Sequence, residues 1–464
     1  MTRRPHPVAA RQLVDDLART SWHDKAVWHV RAKRDAAVSE VADWQALRHH
    51  AQAVRRYGLE HLDELIAQFA KNASSHGVVI HWAPTAADLR DTVGGLLKER
   101  GVERVVKSKS MLTEECGLNP HLAALGIDVV DTDLGERIVQ LRQEPPSHIV
   151  MPAIHLKRSE VGATFHTHLG TPAGETDPTR LTRAARRDLR QRFLGAQAGI
   201  TGVNFAVAED GALVVCTNEG NADLGAHLPP LHIACMGIDK VIPRRADLPV
   251  FLRMLARSAT GQPITAYTSI FRGPREGAEL HLVIVDNGRS RLLGDPELRA
   301  ALTCIRCGAC LNTCPVYRRS GGHSYGDGVL PGPIGAVLGA ARAPETHGDL
   351  AHASTLCGSC REVCPVGVPL PAQLQVLRAR AASARPWWER AGLRLMAHVL
   401  ADPVRAERWG DWLSWAHRLL PKRAARRMPP PARHSFRQLA RARRQRSTTA
   451  GPTTAGPTTA GPKK

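Results

Sequence analysis

Apolar residues recur at helical spacing over residues 11–72. Ala37, Val41, Trp44 and Leu47 fall at i, i+4, i+7 and i+10, and Leu59, Leu62, Leu65, Ile66 and Phe69 carry the stripe onward. Such a stripe marks amphipathic helices that bury one face. After residue 75 the pattern changes. Short apolar runs at 78–82, 103–107, 127–131 and 148–151 alternate with helical stretches at 86–100 and 118–125, each stopped by a glycine, and with a strongly basic helix at 181–196. Runs at 204–207 and 212–216 flank Glu209, Asp210 and Gly211, a hairpin signal. Runs at 238–242, 264–271 and 280–285 close the series, and Gly199 to Asn204 reads as a turn. Strand–helix alternation of this length predicts an α/β domain with a largely parallel core over 71–295, behind an N-terminal helical segment at 1–70.

A second region, 296–380, holds most of the cysteines. Cys314 and Cys357 are separated by 42 residues, too many for a minimal ferredoxin, and the text after each cysteine run is helical. An all-helical iron–sulfur domain is expected there. Residues 381–446 are rich in tryptophan and arginine and contain five of the nine tryptophans. Trp409, Trp412 and Trp415 form an apolar stripe with Leu413, Leu419 and Leu420. Residues 447–464 are mostly Thr-Thr-Ala-Gly-Pro repeats, a low-complexity tail expected to be disordered.

Composition adds limits. Apolar residues are 43% and charged residues 23% of the 464, which excludes a mostly disordered chain. No stretch of 18 apolar residues occurs, so no membrane-spanning helix is expected. The start is basic without an apolar segment behind it, so a secretory signal is not expected and a cytoplasmic location is. The net charge of +20 is uneven: residues 378–464 hold 20 of the 63 basic residues but 4 of the 43 acidic ones. The body is nearly neutral, and the cationic end is suited to an anionic surface, either a partner or the inner face of the membrane. These tryptophans suit an interfacial helix or packing back on the iron–sulfur domain. No nucleic-acid partner is expected from the body.

The strongest chemistry lies in the cysteines. Seven of the ten fall within 61 residues. Cys304, Cys307, Cys310 and Cys314 followed by Pro315 read C-x2-C-x2-C-x3-C-P, and Cys357, Cys360 and Cys364 followed by Pro365 read C-x2-C-x3-C-P. The first is the bacterial run that ligates [4Fe–4S] clusters, in which the fourth cysteine serves the other cluster. Two clusters are therefore expected. Cys304, Cys307, Cys310 and Cys364 would hold the first, and Cys314, Cys357 and Cys360 the second. The second set is one thiolate short, and the position missing from the repeat is Ser354. The second centre is thus a [4Fe–4S] cluster with a non-cysteine ligand or a [3Fe–4S] cluster. Structural zinc is the rival reading, but zinc sites rarely carry the full run with its proline in both halves. Cys116, Cys216 and Cys235 read as buried small residues.

Other motifs are weaker. No dinucleotide or phosphate-loop fingerprint is present. Gly322-His323-Ser324-Tyr325-Gly326 matches a nucleophile elbow by chance, since no strand precedes it. His166 and His168 read as an exposed loop pair. Lys107, Ser108, Lys109 and Ser110 follow one strand, and Glu219, Gly220 and Asn221 follow another. Both groups sit where open α/β sheets bind ligands, and both also read as polar turns with helix caps. No general base with a convincing setting is evident, so catalysis by the isolated chain is not expected.

Taken in order, Lys107 to Glu115, Thr132 to Glu136, Glu144 to Ile149, Thr217 to Asn221, the first cysteine run, Gly321 to His323 and Pro331 to Ala336 closely resemble the lactate utilisation protein B family. The resemblance covers about residues 20–440. It implies an α/β lactate-utilisation domain similar to the sugar-phosphate isomerase and CoA-transferase group, then a helical ferredoxin-type domain with the same seven-cysteine arrangement. It also implies a role with two partner subunits in oxidising L-lactate to pyruvate. The expectation is an electron-transfer subunit passing electrons singly through two clusters. The alternatives are a subunit of another hydroxy-acid (such as glycolate) or disulfide-linked redox complex, and an α/β ligand-binding enzyme whose clusters are structural or sensory.

Overall fold

The computed structural model describes residues 4–383, 386–419, 434 and 436–449. The chain divides into two compact units, Met1–Ala381 and Ala382–Lys464. After two short helices, His6–Ala9 and Arg11–Val14, the first unit contains the helices Leu17–Ser39, Trp44–Glu60 and Leu62–Ser75. Asp16 caps Leu17–Ser39 by accepting the Arg19 N–H. The stripe from Ala37 to Leu47 straddles a turn: that helix ends at Ser39, and Trp44 begins the next.

Six parallel strands form the main sheet: β1 (Val79–Ala83), β2 (Arg104–Lys107), β3 (Asp128–Asp131), β4 (Ala198–Gly202), β7 (Leu231–Gly237) and β10 (Glu279–Val285). Their order is β1-β10-β7-β4-β2-β3. A second sheet, in the order β8-β5-β6-β9, contains β5 (Phe205–Val207), β6 (Ala212–Thr217), β8 (Val241–Ile242) and β9 (Tyr267–Phe271). β5 and β6 are the expected hairpin, antiparallel with Phe205 opposite Val214. The chain runs from β2 to its neighbour β3, then returns to β4 on the other side of β2. β2 and β4 therefore flank the point where strand order reverses, which is where open α/β sheets bind ligands.

Three readings are corrected. Residues 148–151 are a bend, because His148 Nδ1 accepts the N–H groups of Val150 and Met151 that a strand would give to its neighbour. Gly199 to Gly202 is the central strand β4 and not a turn. Its glycines admit a neighbouring backbone: a Cβ on Gly199 would stand 1.8 Å from the Gly225 carbonyl oxygen in the helix Asn221–His227. Residues 238–242 begin as a 3-10 turn, and only Val241 and Ile242 pair with β5.

From Arg299 to Ser383 the described elements are helices and 3-10 turns. One hydrophobic core joins this region to the rest of the first unit, with Val27, Trp44, Phe205 and Phe251 packed into the same cluster as Leu311, Tyr317 and Leu374. Arg55 reinforces the joint. It is 2% exposed and donates to the carbonyls of Val241, Asp239, Leu302 and Thr303.

The second unit contains the helices Trp387–Ala401, Pro403–Leu419 and Phe436–Thr449. Trp387, Trp388, Trp412, Trp415 and Leu413 are exposed. Ser447 to Thr449, expected to be disordered, end the last helix, and Leu420 and residues 450–464 lie outside the described residues. Among the described residues, no helix is long and apolar enough to cross a membrane.

Candidate metal centre

The seven cysteines separate into two neighbouring sets. Cys304, Cys307, Cys310 and Cys364 line one small cavity, closed by Ile334, Val366, Val368 and Leu370. Cys314, Cys357 and Cys360 make up the other set. Burial, then the nearby Cys314 and Cys357, pushes the Cys360 thiol up to about 12. Burial and Cys304 push Cys364 up to about 11. Cys310 feels Cys360 as well as the members of its own set, so the two sets meet there.

The local backbone explains the gathering. Arg306 and Leu356 adopt left-handed conformations with φ of 60° and 56°, and Gly308 and Gly358 have φ of 77° and 89°. Each Cys-Gly pair thereby turns into a short helix, Ala309–Thr313 or Ser359–Glu362. Backbone N–H groups point at sulfur: Arg306 N lies 3.4 Å from Cys304 Sγ, Tyr317 N 3.5 Å from Cys314 Sγ, and Val368 N 3.3 Å from Cys364 Sγ. Such donors stabilise sulfur that carries negative charge.

Nearby charges have the same sense. Arg55, Lys240 and Arg306 all feel Cys304. The acids among them are Asp239, 1% exposed, with Arg289 Nε at 2.8 Å, Lys240 Nζ at 3.7 Å and Arg306 Nη2 at 3.9 Å, and Glu115, which meets Arg289 Nη2 at 3.0 Å. Burial would raise the Asp239 carboxyl, but Lys240, Arg289, Arg306 and Arg55 together hold it well below the usual range. Arg306 Nη1 is buried without a hydrogen-bond partner. Burial favours the protonated thiols until a metal takes their sulfur, and the N–H groups aimed at sulfur and the surplus cations fit a group that is net negative once ligated. An iron–sulfur cluster in thiolate ligation is such a group. Among the described residues, no three His, Cys, Asp or Glu side chains converge to hold a single metal ion.

A larger cavity of about 290 Å3 adjoins the first set. Ile305, Arg306 and Cys307 belong to both cavity walls. Ser108, Lys109 and Ser110 after β2 line it, as do Gly202 to Asn204 after β4, Gly237 and Lys240 after β7, and Glu219 and Asn221 after β6. The two polar stretches singled out in the sequence thus converge on one cavity at the switch point. Lys107 does not reach it: its ammonium is fully buried against Asp131 at 2.8 Å, Glu114 at 3.2 Å and Glu136 at 3.9 Å. Lys109 bonds Asp133 and the Val150 carbonyl, and Ser110 caps the next helix. Burial and then Asp133 push the Glu219 carboxyl up to about 7. Gly220 caps the helix Asn221–His227 in a left-handed conformation.

Sequence reasoning missed Lys240, Asp239, Arg289 and Arg55, which carry no linear signal. Arg306, inside the first Cys-x-x-Cys, could have been suspected from its place between ligand positions. Ser324 is 2% exposed in a 3-10 turn, bonded to the Gly321 carbonyl, and is no nucleophile elbow. His166 and His168 are exposed on the last turn of the helix Arg158–Leu169, and not on a loop. Cys116 and Cys235 are each 1% exposed, with burial pushing both thiols up to about 12.

His148 braces the first cysteine loop. It is fully buried, its Nε2 meets Asn312 Oδ1 at 3.0 Å, and a Cβ on Gly308 would approach its ring. Burial lowers its pKa from 6.5 to about 3. Between those values the unfolded chain binds a proton that the folded chain does not, so the buried imidazole weakens the fold as pH falls through 6.5. Relative to His148→Gln, the wild type should lose about 1.4 kcal/mol per pH unit between pH 6 and 4, as read from denaturation midpoints. Equal pH slopes for the two proteins would refute this.

The fold and site define an α/β domain joined to a cysteine-rich, cluster-type domain. The family models match accordingly: a LUD domain over residues 66–292 and a 4Fe-4S dicluster domain over 300–368. "Lactate utilization protein B" of an Exiguobacterium species is 46% identical over 74% of this chain and 74% of its own length. The protein of the same name from Shouchella clausii is 39% identical over 90% of this chain and 92% of its own. "Uncharacterized electron transport protein YkgF" of Escherichia coli is 41% identical over 85% and 84%. A solved DUF162 family protein from Deinococcus radiodurans, 15% identical, covers 48% of this chain and 98% of its own at a TM-score of 0.27. The chain belongs to the lactate utilisation protein B family.

Proposed function

We propose that this protein is the iron–sulfur electron-transfer subunit of a complex that oxidises L-lactate to pyruvate. Two partner subunits complete the complex. Cys304, Cys307, Cys310 and Cys364 would hold a first [4Fe–4S] cluster, and Cys314, Cys357 and Cys360 a second centre. When bound, such clusters accept and pass electrons one at a time. The observation that carries the reading is the sorting of seven cysteines into two sets that meet at Cys310 and Cys360. The first set adjoins the cavity through Cys307, and the second includes the exposed Cys357. The chain's own residues thus lie in the order cavity, first set, second set, surface. The test is electron paramagnetic resonance with iron and sulfide analysis on anaerobically purified protein, before and after dithionite. Reducible iron–sulfur signals support the reading, and zinc without iron would overturn it.

The cavity is the proposed seat of the small molecule that exchanges electrons with the first centre. Lys240 lines it, and the Asp239 carboxylate, 3.7 Å away, is shared with two arginines. A carboxylate-bearing ligand suits that cation, and Ser108, Lys109 and Glu219 add polar side chains from the segments after β2 and β6. Lys240→Met should weaken oxalate or pyruvate binding by about tenfold or more, the loss of a charge-assisted contact. Unchanged affinity, measured calorimetrically, would defeat this assignment.

The second unit is proposed to hold the protein against an anionic membrane surface, through exposed tryptophans interleaved with arginines. Removing residues 386–464 should abolish salt-sensitive binding to vesicles containing phosphatidylglycerol while iron content stays unchanged. Vesicle binding that survives the truncation would assign the surface elsewhere.

A further inference from the structure

The two cysteine runs are copies of one backbone unit offset by 50 residues. Cys307, Cys310 and Cys314 correspond to Cys357, Cys360 and Cys364. The correspondence extends to conformation. The left-handed Arg306 matches Leu356, and the left-handed Gly308 matches Gly358. Each unit is entered from a five-residue 3-10 turn, Arg299–Thr303 in one case and Gly348–His352 in the other. On this register Ser354 stands where Cys304 stands.

The side chains at these two positions do the same thing. Cys304 Sγ accepts the N–H of Arg306 at 3.4 Å, and Ser354 Oγ accepts the N–H of Leu356 at 3.1 Å. In each case the γ atom takes the N–H of the left-handed residue that precedes the next cysteine, so it is turned toward the same side of the loop. Arg378 clamps the segment from outside, donating to the carbonyls of Ala351 and Ser354 at 2.8 and 2.7 Å. The segment is therefore held in the conformation of a ligand loop although the ligand position carries oxygen in place of sulfur.

We infer that Ser354 Oγ is the fourth ligand of the second iron–sulfur centre, which completes a [4Fe–4S] cluster with Cys314, Cys357 and Cys360. On ligation the Ser354 O–H bond breaks, an Fe–O bond forms, and the proton leaves to solvent. No electron is gained or lost. The inference rests on the proposed function only in requiring that the cysteines hold iron. A hydroxyl is smaller and harder than a thiolate, so the site should differ from the first in potential and spectrum.

The experiment uses the full chain, purified anaerobically, with iron and sulfide analysis and electron paramagnetic resonance in the oxidised and reduced states. The wild type should hold about eight irons per chain, with no [3Fe–4S] signal when oxidised. Ser354→Ala should fall to about seven irons and gain that oxidised-state signal, while the signal of the first cluster persists as an internal control. Ser354→Cys should keep about eight irons but shift the spectrum and midpoint potential of the second centre alone. This second variant decides the matter if Ser354→Ala does not fold. A [3Fe–4S] signal in the oxidised wild type, or a Ser354→Ala or Ser354→Cys spectrum identical to the wild type, would overturn the assignment. Zinc in place of iron would overturn the proposed function itself, a result that metal analysis separates from the others.

Discussion

Cys304→Ala and Cys364→Ala should produce the same spectroscopic loss although the two residues stand 60 positions apart. Both line the cavity shared with Cys307 and Cys310. Each variant should lose the signal of the first cluster, with up to about four irons per chain. Cys314→Ala alters the same sequence run as Cys304 but should instead remove the signal of the second centre. Lactate-dependent electron transfer in the reconstituted complex should fall by a factor on the order of a thousand in all three variants, because a relay lacking one station has no short alternative. A Cys364→Ala protein that loses the signal of the second centre would show that the crossed assignment is wrong. Electron transfer that survives loss of the first cluster would favour the alternative of a ligand-binding enzyme with structural clusters.

Arg55→Met should destabilise the first unit by about 3–5 kcal/mol. The guanidinium is buried and donates to four carbonyls, two of them on Leu302 and Thr303 directly before Cys304, and two on Asp239 and Val241 after β7. Methionine fills the volume but leaves those carbonyls without donors in a place that water does not reach. Asp239 keeps Arg289 after the change, so the cost comes mainly from the carbonyls and not from an abandoned carboxylate. The loop ahead of Cys304 should then lose its anchor to the α/β sheet, and iron content should fall with stability. Arg55→Lys keeps the charge but not the planar fork, and should recover only part of the loss. The readouts are the denaturation midpoint and iron per chain. A change below about 1 kcal/mol would show that the joint depends on the shared hydrophobic core alone.

The strands that were legible in the sequence share a property that β4 and β7 lack. β2, β3 and β10 are short runs rich in valine, isoleucine and leucine between polar or glycine stops. β4 contains Gly199 and Gly202, which by propensity mark a turn. Its glycines serve tertiary contact, since the helix Asn221–His227 lies directly on the strand. β7 is buried along its length much as β10 is, but Leu231 and Ile233 are its only Val, Ile or Leu residues, and Ala234, Cys235, Met236 and Gly237 give little strand propensity to announce it. The opposite error at 148–151 has a comparable origin. An apolar run was available for a strand, but one histidine ring captured the N–H groups, and Asn312 fixed that ring from a distant part of the chain.

The candidate site divides in the same way. Spacing, left-handed glycines and prolines in the cysteine runs are local features, because a ligand loop is built within one turn of backbone. The sequence by itself determined the identity of the thiols, the 50-residue offset, the missing eighth thiol and the cationic tail. Which thiols share a cavity, and what stands behind them, depended on contacts between residues far apart in the chain. Arg55, Lys240, Asp239 and Arg289 come from three separate elements and meet Arg306 only when the helices, the sheet and the cysteine loops close on one core. The cavity at the ends of β2, β4 and β7 arises from strand order, which is a property of the closed sheet and not of any single segment. Local chemistry is written into neighbouring residues. The surroundings that give it charge, access and direction are set by tertiary packing, because only packing brings distant side chains within reach of one another.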